Sequence, residues 1–224
     1  TAFAKYIKAR WGRPVECGPT LKDLLVEIIS APEVYKKIIG MQMLVEGLAM
    51  GAFSSGYRNN RDPLAKKLFQ LVMTDEAFHH KFGKIWADRT VPMLSKSERE
   101  IVEDWAAHCC QSLMFNQAAP TQQQAIYAEF GMDAEQVMAG LVEMRAKRDP
   151  NRKMKGETNI FRVLIKTLLS GHIITDRTRG FYASFVDMDE LAAEGDVMPG
   201  EAIADPTPSR VVMPPITCSV CTHL

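Results

Sequence analysis

The sequence predicts an all-α helical bundle. Three observations carry this. Apolar residues recur at three- and four-residue spacing through nearly all of the chain up to about residue 186. The period-two alternation of a strand is not sustained anywhere. Breaks rich in Gly and Pro divide the chain into pieces of helical length.

The first piece, "TAFAKYIKARW", sets Phe3, Ile7 and Trp11 on one stripe. It opens at Thr1 with a helix already under way, which predicts natural sequence upstream and a bundle lacking its N-terminal helices. "GRPVECGP" is a turn, and Thr20 reads as an N-cap with Asp23 three residues on. Leu21, Leu24, Leu25 and Ile28 form the apolar face that follows. "SAPE" ends that helix, and a longer one spans about 33–56. "GYRNNRDP" turns the chain, with Pro63 suited to the first turn of a helix over about 64–88. Pro92 with Ser95 or Ser97 marks the start of "SEREIVEDWAAHCCQSLMFN". Further helices are predicted at about 121–130, 133–147 and 158–174, with the basic loop "KRDPNRKMKGET" between the last two. From about Leu191 periodicity stops and Pro, Gly, Asp and Ser rise. The expected organisation is one helical domain over 1–190 and an extended tail over 191–224.

The 224 residues and 46% hydrophobic content suffice for one sizeable core. Lys+Arg and Asp+Glu are both 27, so nothing calls for a nucleic acid or an anionic membrane as partner. No apolar run approaches a membrane span, and no signal peptide is visible. Five cysteines at irregular spacing argue against a disulfide framework and for a cytoplasmic location.

Against this apolar background, "LVMTDEAFHH" stands out. Glu76 and His79 are three residues apart and share a helix face. Glu46 lies in "GMQMLVEGLAMGAF", in an otherwise apolar stretch. It is about as far before the Arg61–Asp62 turn as Glu76 is after it, roughly 21–24 Å along each helix. An antiparallel hairpin therefore brings Glu46 level with Glu76 and His79. Two carboxylates and one imidazole between apolar helices form a metal site of the kind bundles build. Such ligands suit iron or manganese better than copper or zinc. Gly47, Ala49, Gly51 and Ala52 let a neighbouring helix come close.

The pattern E-x29-E-x2-H, with Asp75 directly before the second Glu, resembles the second half-site of ferritin-like diiron-carboxylate proteins. "LVEGLAMGAF" and "DPLAKKLFQLVMTDEAFHHKFG" are similar to that half in the ribonucleotide reductase small subunit and the p-aminobenzoate N-oxygenase-like oxygenases. The likeness covers about residues 33–92. It implies a ferritin-like bundle with Glu46 and Glu76 as carboxylate ligands and His79 as the imidazole ligand. It also implies that Asp75 accepts a hydrogen bond from a ligand histidine and fixes its orientation. The implied activity is that of a non-haem diiron oxygenase or oxidase. It would hold two irons per complete site, with manganese the other candidate metal. O2 and a small organic or carrier-bound substrate react there, with electrons from a reductase or the substrate itself. This chain carries one E-x-x-H where a complete site has two. Either the other half lies upstream of Thr1, or two chains pair as a homodimer and each gives Glu46, Glu76 and His79. A ferroxidase or iron-handling protein, and a metal-free helical scaffold, are the alternative functions.

Other candidates have plainer readings. His80 points about 100° from His79 and is expected in packing or solvent. His172 and Asp176 form H-x-x-x-D in a glycine-flanked segment that also reads as a turn. Glu27, Glu103 and Glu129 read as solvated helix faces. Cys218, Cys221 and His223 form C-x-x-C-x-H, three donors where zinc takes four. Met43, Met50, Phe53, Met73 and Phe78 line a substrate pocket or simply fill the core.

Overall fold

The computed structural model describes residues 2–13, 17–117, 124, 127–147, 149, 153–156, 159–196, 198 and 200–204. All regular structure among them is helical, in agreement with the all-α expectation. The helices are α1 (Ala2–Trp11), α2 (Pro19–Ser30), α3 (Val34–Asn59), α4 (Pro63–Thr90), α5 (Lys96–Gln117), α6 (Ala134–Ala146), α7 (Ile160–Ser170), α8 (Asp176–Ala183) and α9 (Met188–Ala193).

The centre is α3. Its Ile39, Met43 and Leu44 meet Leu24 and Ile28 of α2, Ala87 of α4, Cys109 and Leu113 of α5, and Leu164 and Leu168 of α7 in one core. By length and composition α3 is long and apolar enough to cross a membrane, which corrects the expectation that no run approaches that length. More than half of its apolar stretch is buried within the protein, as the middle helix of a bundle requires. Within α3, Ile38–Val45 is π-helical, and the Glu46 N–H reaches back five residues to the Met41 carbonyl.

The long partner α4 runs 28 residues antiparallel to α3. Asp62 caps it, its side chain accepting from the Leu64 and Ala65 N–H groups, with Pro63 in the first turn as expected. Tyr6 donates to Asp62 at 2.8 Å and Arg10 pairs with the same carboxylate, so α1 is tied to the cap.

Other boundaries moved for local reasons. The N-cap of α2 is Gly18 with Pro19 in the first turn, so Thr20 is already inside the helix and makes no cap. Helix α7 ends at Ser170, because Gly171 and His172 turn the chain and His172 takes φ 58°. Residues beyond 190 include the end of α9, where Leu191 is buried, and Met198, which packs on Met50 and Val163. Arg162 of α7 holds that segment by pairing with both oxygens of Glu194, one at 2.7 Å. Half of the helix expected over 121–130 and the tail from 205 on, with Cys218, Cys221 and His223, lie outside the described residues.

Glu103 is not solvated. It is 3% exposed and accepts from Thr175 at 2.8 Å and from Arg177 at 2.6 Å. A buried carboxylate needs such partners, and both come from the segment that begins α8. Glu27 and Glu129 do face solvent, pairing with His108 and Arg13.

Candidate metal centre

Glu46, Glu76 and His79 converge. Each offers one ligand atom, and these atoms lie within 4.8 Å of one another. His79 Nδ1 is 3.6 Å from Glu46 Oε1 and 3.3 Å from Glu76 Oε2. Helix α3 supplies one carboxylate. One turn of α4 supplies the other two groups, since i and i+3 share a face. Gly47 and Gly51 allow α7 to close the far side. A Cβ at Gly47 would lie 3.1 Å from Thr167 Oγ1, and one at Gly51 would lie 3.5 Å from Val163 Cγ2.

The three side chains grade from interior to surface: Glu46 is 13% exposed, Glu76 22% and His79 59%. Burial pushes the Glu46 carboxyl up to about 7; His79 opposes that rise and Glu76 adds to it. Glu46 Oε2 is buried without any hydrogen-bond partner. No Lys or Arg pairs with Glu46 or Glu76 among the described residues; their ionic partner is His79, which is charged only when protonated. A buried carboxylate oxygen with no donor, beside a second carboxylate, fits a divalent cation. This donor set, oxygen-rich with one imidazole, fits iron or manganese.

Asp75 is exposed, and no hydrogen bond joins it to a histidine among the described residues. His80 is buried, with Nε2 3.1 Å from Thr167 Oγ1, and burial lowers it to about 4. It is a neutral packing residue between α4 and α7. His172 is 3.5 Å from Asp88, while Asp176 is the first residue of α8, so H-x-x-x-D is not a helical ligand pair. Met43, Met50 and Met73 are fully buried core. Phe53 stacks on Phe3 at 5.5 Å, and Phe78 is 70% exposed, so neither of these two lines an enclosed pocket beside the ligands.

Two groups near the centre escaped the sequence reading. One is the His80–Thr167 contact. The other is Gln42, whose Oε1 is also buried without a partner. A lone amide in an apolar helix, four residues before a lone carboxylate, is the signal that could have found it.

No family model, curated protein or solved structure matches the chain.

Proposed function

We propose that the chain is a non-haem iron oxygenase or oxidase of the ferritin-like diiron-carboxylate kind, acting with O2 on a small organic or carrier-bound substrate. The observation that supports this is the convergence of Glu46, Glu76 and His79, with the inner oxygen of Glu46 left donorless. Iron held there, or manganese in its place, would supply the redox chemistry that side chains lack. The chain's own residues do the rest. Glu46 and Glu76 give negative oxygen ligands, and His79 gives a neutral nitrogen. Glu46 carries a proton near neutrality when no cation is present, and it surrenders that proton when one binds. Met43, Met50 and Met73 keep water from the inner side. His79 leaves the outer side open to substrate and to an electron-donating reductase.

The same reading takes a second copy of the chain as partner. Leu64, Leu71, Phe78 and Ile85 recur every seven residues along α4, with Phe82 among them, and all are exposed. By helical geometry this stripe lies nearly opposite the buried Ala65, Met73 and Ala87. A seven-residue spacing matches the same helix of another copy. Two-fold pairing would bring a second set of the three groups to the assembly, with His79 turned nearer the stripe than Glu76.

The test is anaerobic loading of the metal-free chain with Fe(II), removal of excess, and measurement of bound iron and of O2 uptake with a reductant. Near one iron per chain, two per pair, is expected. His79→Ala is expected to lose at least about tenfold in iron affinity while moving stability by no more than about 0.5 kcal/mol, since the imidazole is mostly exposed. Iron that is oxidised with no organic substrate consumed identifies a ferroxidase. No bound iron identifies a scaffold and overturns the proposal.

A further inference from the structure

We infer that Gln42 belongs to the metal centre, its amide oxygen receiving a hydrogen bond from a water carried by the ion. This rests on the metal-centre reading above and extends it to a residue outside the ligand set.

The placement comes from two close approaches of α3 and α4, one at Gly83 and one at His79. A Cβ at Gly83 would lie 3.3 Å from Gln42 Cβ and 2.8 Å from Met43 Cγ, so Gln42 faces α4 at Gly83. Glu46 faces α4 at His79. Gly83 is one α-turn beyond His79, and Gln42 is four residues before Glu46. The antiparallel helices thus pair 46 with 79 and 42 with 83 on one seam.

The π-helical stretch explains why the two α3 residues share that seam. In an α-helix, residues four apart are rotated by about 40°. A π-helix has more residues per turn, so residues four apart stack more nearly in line. Ile38–Val45 is π-helical, and the Glu46 N–H bonds to Met41 rather than to Gln42. The backbone therefore aims Gln42 and Glu46 along the same line toward α4.

The chemistry follows from what the two side chains lack. Glu46 Oε2 and Gln42 Oε1 are buried acceptors without donors. Neither oxygen has a hydrogen-bond partner, so Glu46 and Gln42 do not satisfy each other. A hydrated cation meets both needs: the metal answers the carboxylate, and an O–H of its water answers the amide. Gln42 is thereby a positioning residue that orients one metal-bound water.

The test is titration of the metal-free full chain with cobalt(II) alone, followed by visible absorption, with thermal melting of the same samples. Relative to wild type, Q42L is expected to weaken cobalt binding about tenfold or more and to alter the absorption bands. In the metal-free state it is expected to melt higher, because a donorless buried acceptor is gone. Q42E keeps an acceptor and is expected to bind at least as tightly as wild type. A Gln that served packing alone would lower the melting temperature and leave the cobalt spectrum unchanged. Should Q42L not fold, Q42M, closer in length and flexibility, carries the same comparison. Wild-type affinity and spectrum in the Leu or Met variant overturn the inference. Failure of the wild-type chain to take up cobalt overturns the metal centre itself, and the two failures are told apart by which protein shows them.

Discussion

His79 Nδ1 lies 3.6 Å from Glu46 Oε1, across the seam between α3 and α4. The contact joins a half-exposed imidazole to a largely buried carboxylate that has no Lys or Arg partner among the described residues. Glu46 therefore behaves as an acid in search of a cation, and its protonation is measurable.

Two titrations of opposite sign meet in this seam. Glu46 is raised in the folded chain from an ordinary value of 4.5 to about 7, so the stability it lends is full below about 4.5 and lost as pH rises through 7. His80 is lowered from 6.5 to about 4, so its contribution is full above 6.5 and lost as pH falls toward 4. Over most of pH 4–7 the slopes oppose each other, and the metal-free protein is expected to show a shallow profile. Glu46→Gln removes one slope. Its denaturant midpoint is expected to climb from pH 4 to 6.5, and a profile as flat as wild type contradicts the account. With a divalent ion present, wild-type binding is expected to weaken as pH drops below about 7, because protons compete for the same oxygen.

Gly83 keeps the two helices close. An alanine there brings a methyl to 2.8 Å from Met43 Cγ and 3.5 Å from the Met43 backbone nitrogen. The strain of overpacking, about 1–3 kcal/mol, outweighs the roughly 1 kcal/mol that Ala gains over Gly in a helix. Gly83→Ala is expected to destabilise by about 1 kcal/mol net. The larger effect is on the metal, since any parting of the helices carries Glu46 away from His79. Calorimetric metal titration beside a denaturation curve separates the two. Equal metal affinity in the variant shows that the seam does not set ligand spacing.

Phe78 is the most exposed member of the α4 stripe. Replacing it with Glu puts a charge in the middle of the seam that a second copy would cover. Phe78→Glu is expected to shift the chain from dimer to monomer in light scattering, with little change in melting of the monomer. Iron per chain is expected to fall with it. A wild-type chain that is already monomeric at high concentration removes the two-fold arrangement.

The convergence of Glu46, Glu76 and His79 was legible because helical rise is constant and the turn at Arg61–Asp62 fixed the register of a hairpin. Equal arms on either side of that turn place Glu46 beside His79 whatever the rest of the chain does. Features that depend on distant partners were not legible. Glu103 reads as a surface acid until Arg177 and Thr175 fold over it. His80 reads as a packing or solvent residue, but its partner Thr167 arrives from α7, 87 residues on, and leaves no local signal. The π-helical stretch left no mark, since Ile38–Val45 is apolar almost throughout and its hydrogen-bond shift is a backbone event. Thr20 failed as a cap because Pro19, better suited to the first turn, moved the start of α2 by a residue or two.

The gradient from Glu46 inward to His79 outward also bears on kinetics. With the imidazole mostly in solvent, an ion held there would enter or leave by swinging one side chain, without parting the rods of the bundle. Occupancy would then track the free metal concentration around the protein on the timescale of a rotamer change and ligand exchange, not of unfolding. On the proposed reading, which element fills the seat is decided by supply as much as by preference, and a chelator is expected to strip it from an otherwise intact fold.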